Sequence, residues 1–125
     1  MVHAATTRST EIMLNADVDH TLGALADPTR RRIVELLRRK PRRAGDIAAS
    51  LSVSAPSLSR HLRVLRKSGL IEGSGVEHDA RVRLYRLRPE RFAILRAWLE
   101  EVEAFWAAEL SAFKTHAERT RARRR

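Results

Sequence analysis

Three prolines cut this chain into segments: Pro28, Pro41 and Pro89. Proline has no N–H to donate at an interior helical position, so a helix stops before it or starts at it. Asp27 is suited to cap a helix whose first residue is Pro28, and that helix runs out near Lys40-Pro41. Its narrow apolar face is Ile33, Leu36 and Leu37. Upstream, Leu14, Val18, Leu22 and Leu25 recur at helical spacing, which predicts a first helix that stops before Asp27-Pro28. Beyond Pro41 the pattern predicts a short third helix from about Ala44 to Leu51, with Ile47, Ala48 and Leu51 inward. Ser52-Val53 then makes a turn, and Ser54 caps a fourth helix ending at Ser68-Gly69. Two short helices joined by a tight turn form a helix-turn-helix.

After Gly69 the period changes. Leu70–Glu72 and Arg81–Leu87 read as strands separated by a loop from Gly73 to Ala80, a hairpin or wing. Pro89 opens a long helix reaching about Glu118. The expected fold is mainly α with a small β-hairpin, a winged helix-turn-helix in the order α-α-α-α-β-β-α. A chain of 125 residues supports one domain of this kind. Residues 1–10 are expected as a flexible tail, 11–118 as the folded domain, and 119–125 as a basic tail.

Charge directs attention to polyanions. Lys and Arg total 25 against 15 Asp and Glu, a net charge of +10, and all but Lys40, Lys67 and Lys114 are arginine. Nucleic acid is the first expected partner and an anionic membrane surface the second; the guanidinium fork suits phosphates and guanine edges. The absence of cysteine excludes disulfides, thiolate metal sites, iron–sulfur clusters and cysteine redox switches. No 18-residue apolar run and no N-terminal apolar core region occur, so a cytoplasmic protein without a membrane partner is expected.

On a helical wheel of residues 54–67, Leu58, Leu62 and Leu65 share one stripe, and Pro56, Arg60 and Arg63 lie opposite. Ser57 borders the outward face, and Ser59 and His61 sit on its flanks, partly toward the core. Such a helix can enter the major groove and bond to base edges. Ser57, Ser59, Arg60 and His61 are therefore candidate base contacts. Ser54, Arg63 and, on the wing, Arg81 and Arg83 are candidate backbone contacts. His61 is equally readable as a packing or capping residue. Arg30, Arg31 and Arg32 occupy a first helical turn, where the macrodipole disfavours cations. An i,i+4 pair of Arg31 with Glu35 accounts for one of them, and a phosphate or an intramolecular carboxylate for the others.

In the last helix Phe92, Leu95, Leu99, Val102, Trp106, Leu110 and Phe113 recur at steps of three and four, beside a strip of Ile94, Trp98 and Phe105. One small domain covers only part of so wide a face, so a homodimer is expected, with Leu22 of the first helix contributing. A twofold dimer sets its recognition helices about 34 Å apart, one DNA turn, and implies an inverted-repeat operator.

Several segments together are similar to one family: Ala26-Asp-Pro-Thr-Arg-Arg-Arg-Ile-Val-Glu-Leu-Leu37, Ser57-Leu-Ser-Arg-His-Leu-Arg-Val-Leu65, Ser68-Gly-Leu-Ile71 and Tyr85-Arg-Leu87. They resemble the ArsR/SmtB-type winged-helix repressors over about residues 15–115. The resemblance implies an α-helical dimer that represses by occupying a promoter and is released by an inducer. Metal sensors of the family use a cysteine pair before the recognition helix, where this chain has Gly45–Leu51 without a thiol. A second family metal site uses spaced Asp, His and Glu on the last helix, where this chain offers only His116 near Glu118. His78 between Glu77 and Asp79 is one conceivable zinc cluster. The sequence more closely resembles the metal-independent members, with a small-molecule or protein effector or none, and no cofactor or metal is expected.

Three rival functions are weighed. Enzyme chemistry lacks a phosphate-binding loop, a cysteine nucleophile and HExxH; Ser57 and His61 have no carboxylate placed to orient the imidazole. A non-specific architectural DNA binder needs only the charge and the Arg-rich tail. A winged-helix protein-interaction module needs no base-reading surface at all.

Overall fold

The computed structural model describes residues 2–76 and 79–124; the side chains of 2–12, 76 and 79–82 lie outside what is described. Its elements are α1 (Val2–Leu25), α2 (Pro28–Arg39), β1 (Arg42–Arg43), α3 (Ala44–Leu51), α4 (Ala55–Lys67), β2 (Ile71–Val76), β3 (Asp79–Leu87) and α5 (Pro89–Arg123). The chain divides into Met1–Leu95, which holds the core, and Arg96–Arg125, which holds the remainder of α5.

The boundaries follow local chemistry. Asp27 accepts a hydrogen bond from the Arg30 amide at 3.1 Å, with Pro28 at the first helical position where no N–H is needed. Ser54 accepts from the Ser57 amide at 3.3 Å and starts α4. Between α3 and α4 the chain turns through Ser52 at φ 53°, a left-handed conformation, and the Val53 amide returns to the Ala48 carbonyl at 3.1 Å. Gly69, at φ 74°, ends the α4 turn; a side chain there would also strike Arg91, whose Nε would lie 2.8 Å from the added Cβ. Arg91 pairs with Asp17 and ties the start of α5 to α1.

The core gathers Ile33 and Leu37 from α2, Ile47 and Leu51 from α3, Leu58, Leu62 and Leu65 from α4, then Leu70, Ile71 and Tyr85. Ala24 of α1 joins it, and Phe92 of α5 packs against it half-buried. Among the described side chains of α1 the buried ones are Val18, Thr21 and Ala24, whereas Leu14 and Leu22 of the expected stripe are each 42% exposed. The small side chains let α1 lie close, Leu25 packs half-buried against the core, and Leu14 and Leu22 face outward.

The sheet differs from a simple hairpin. Its order is β1-β3-β2, all antiparallel, with Arg42 opposite Tyr85 and Arg43 opposite Leu84. Pro41 drives the residue before it into extended geometry, and Lys40 at φ −167° and ψ 156° delivers Arg42-Arg43 to the free edge of β3. A two-residue strand has no alternation to be read from sequence. The helical ends also run further than expected: α1 begins at Val2 and α5 continues to Arg123, through stretches expected as tails. Neither stretch contains proline or glycine, and Ala and Arg are good helix formers. No helix among the described residues is long and apolar enough to cross a membrane.

Candidate nucleic-acid interface

The faces of α4 separate as the wheel predicts. Leu58, Leu62 and Leu65 are buried, at 2%, 4% and 0% exposure, so the helix is held along one stripe. Pro56, Arg60 and Arg63 are exposed and Ser57 is half-buried; Ser59, expected partly toward the core, is exposed as well. Ser54 is exposed and uses its hydroxyl oxygen to cap the helix, leaving the O–H free to donate. On the wing Arg83 is exposed and stands opposite Gly75 in the strand register. The Arg81 side chain and the His78 cluster with Glu77 and Asp79 lie outside the described residues.

His61 is more enclosed than its neighbours on the outer face. Its side chain is 19% exposed, and its Nδ1 lies 3.4 Å from Arg30 Nη1 and 4.0 Å from Asp27 Oδ1. It thus touches the N-terminus of α2, which the packing alternative allows for. The Asp27 carboxyl is held below the usual aspartate range, first by the hydrogen bond from the Arg30 amide and then by the nearby His61 and Arg30 charges.

The arginines at the start of α2 have a use that sequence reading did not anticipate. Arg30 Nε donates to the Ala24 carbonyl at 2.6 Å and its Nη2 to the Gly23 carbonyl at 3.3 Å. Arg31 Nη1 donates to the Leu25 and Ala26 carbonyls at 2.8 and 3.0 Å. These oxygens include the last ones of α1, left without intrahelical partners and at the negative end of its dipole. The cations that sit poorly on their own helix therefore cap the preceding one. The signal was present: α1 has no basic residue in its own last turn. The expected Arg31–Glu35 pair does not form; Glu35 pairs with Arg38 at 2.9 Å, one turn on.

On α5, Leu99, Phe105, Trp106, Leu110 and Phe113 are 50–71% exposed. Leu95, Trp98 and Val102 are half-buried, and Phe92 lies against its own chain's core, so less of its ring remains for a partner than expected. Leu22, Met13 and Leu14 on α1 are exposed as well. Phe105 and Trp106 meet edge to face, their ring centroids 6.0 Å apart.

Known proteins share this architecture and sequence. The family model described as "Bacterial regulatory protein, arsR family" matches residues 27–72, from the α2 cap through the helix-turn-helix to the start of β2. The HTH-type transcriptional regulator Rv2034 of Mycobacterium tuberculosis is 37% identical over 97 residues, covering 76% of this chain and 83% of that protein. The transcriptional repressor SdpR of Bacillus subtilis is 41% identical over 54 residues, 43% of this chain and 60% of that one. An ArsR-like transcriptional regulator from Rhodococcus sp. RHA1 superposes with a TM-score of 0.70 at 31% identity, covering 81% of this chain and 92% of its own. These relatives are transcriptional regulators and not enzymes, and this chain belongs to the ArsR family of bacterial regulatory proteins.

Proposed function

We propose that the chain is a repressor that binds an inverted-repeat operator as a homodimer, with α4 in the major groove. The observation that carries this reading is the division of α4: three leucines fix one side, and Arg60, Ser59 and Pro56 face outward beside Arg63. Ser57, Ser59, Arg60 and His61 are assigned to bases, with Pro56 lying against the groove. Ser54, Arg63, Arg81 and Arg83 are assigned to the phosphates. His61 can serve both roles, since one ring nitrogen faces Arg30 and Asp27 and the other remains for a base.

The dimer is supported by the apolar faces of α5 and α1. Phe105, Trp106, Leu110 and Phe113, each 59% exposed or more, form the kind of face that a second copy covers. Leu95, Trp98, Leu99, Val102 and, on α1, Leu22 complete the proposed contact, to which Phe92 adds least. Residues 11–118 act as the working unit in this reading and the basic end from Arg119 adds non-specific affinity. A thiolate-bound metal is not the releasing effector in this reading, since the chain has no cysteine.

The test is selection of genomic fragments by the purified protein at physiological salt with excess competitor DNA, followed by sequencing. Enrichment of one inverted repeat is the expected result. Binding without enrichment would replace this reading with a non-specific architectural one, and no binding would point to a protein-interaction module.

A further inference from the structure

Beside the recognition helix, between the start of α3, the flank of α4 and β3, lies a cavity of about 670 Å³. Its walls combine two chemistries. Leu58, Leu62 and Tyr85, core residues only 2%, 4% and 8% exposed, show just their edges to it, beside Ala44, Ala48 and Ala55. Arg43, Arg63, Arg66 and Arg83 stand around them, all exposed, against the single carboxylate of Asp46. No described carboxylate forms an ion pair with Arg43, Arg63 or Arg66. A cavity of this size suits one small molecule, and a lining about equally polar and apolar suits one that carries both a charged group and a hydrophobic body. Duplex phosphates can reach the exposed arginines, but those contacts make no use of the leucine and tyrosine surface beneath them.

We propose that this cavity binds a small amphipathic organic anion, a carboxylate or phosphate carried on a compact hydrophobic body, and that its occupation displaces DNA. The apolar body lies against Leu58, Leu62 and Tyr85, and the anionic group takes the guanidinium fork of Arg66 or Arg63. Ser59, Arg63 and Arg83 line the cavity and are also assigned above to DNA, so the displacement half of the inference rests on that reading. A ligand there overlies Ser59, Arg63 and Arg83, so ligand and operator compete for that surface, and repression is relieved at the DNA surface itself.

The probe is 2-naphthoate, titrated into the full chain at pH 7 with amide chemical shifts as readout and neutral 2-naphthamide as control. The expected result is a single saturable transition at the Gly45, Ser59 and Arg66 amides, with the neutral analogue weaker by about tenfold or more. Gly45 lines the cavity and an added Cβ there meets nothing within 4 Å, so a side chain can start from this position, and Gly45→Leu is expected to intrude on the site and abolish the transition. Arg66→Ala, outside the assigned DNA contacts, weakens naphthoate about three- to tenfold and alters operator affinity in the absence of probe by about twofold at most. Saturating naphthoate lowers operator affinity of the wild type but not of Gly45→Leu. Shifts confined to α5, or equal binding of the amide, would overturn the site. Saturable binding at Gly45 with no loss of operator affinity would overturn the competition. If the wild type proves to bind no operator, the reading of function fails, while the naphthoate shifts still decide the site.

Discussion

Helices α4 and α5 carry apolar residues at the same spacing of three and four, yet their fates differ. On α4, Leu65 is 0% exposed, whereas Leu99 on α5 is 50% exposed and no residue of α5 is buried. Periodicity therefore specifies a helix with an apolar side, and the partner for that side comes from elsewhere. For α4 the partners are Ile33, Ile47 and Ile71 of the same chain. For α5 beyond Leu95 the proposed partner is a second copy, and on that proposal buried against open faces becomes a contrast between folding and assembly.

The sharpest way to break that contrast is to change one residue on each face. Leu62→Ala leaves a cavity in the core and is expected to cost about 2–5 kcal/mol of stability, read from denaturant unfolding. Trp106→Glu is expected to leave the monomer folded but weaken self-association by about 2–4 kcal/mol, read by sedimentation equilibrium. If Trp106→Glu instead unfolds the chain and leaves no folded monomer, the two faces are not separable in this way.

Within the DNA surface the same logic separates reading from holding. Arg60→Ala is expected to lose about 1–3 kcal/mol on the operator and little on random DNA. Arg83→Ala is expected to weaken both alike and to lower the slope of log affinity against log salt by about one. Equal losses on both DNAs from both variants would remove the assignment of α4 as the reader.

Much of this organisation was legible in the sequence because single residues enforce it. Asp27-Pro28, Ser54 and Gly69 place helix ends by capping, ring closure or positive φ, and the three leucines of α4 fall on one stripe whatever surrounds them. What escaped depended on contacts between elements. Strand β1 exists because β3 offers an edge to Arg42-Arg43. Arg30 and Arg31 are explained by carbonyls of the previous helix, up to seven residues back, a relation no local pairing rule contains. The cavity beside α4 brings Arg43 and Arg83 together from distant parts of the chain.

Two smaller effects sharpen the contrast at the junction of α1 and α2. Arg30→Ala removes the donors to Ala24 and Gly23 and is expected to cost about 1–2 kcal/mol, with faster amide exchange at the end of α1. The smallest effect is acid-dependent. Because the folded state lowers the Asp27 pKa, its contribution is full above the unfolded value of about 3.9 and is lost as pH falls through the folded value. Asp27→Asn, which still caps, is expected to flatten that part of the acid limb in thermal melts while changing little at pH 7.

The central claim is that two α4 helices read one operator because α5 and α1 hold them as a pair. Its direct test is the affinity of the full chain for a selected inverted repeat and for the same duplex with about half a helical turn, five base pairs, inserted at its centre. The dimer predicts a loss of about a hundredfold or more, since the insertion rotates one half-site to the far side of the duplex. Undiminished affinity for the spaced duplex would contradict it and show that each chain binds its half-site alone.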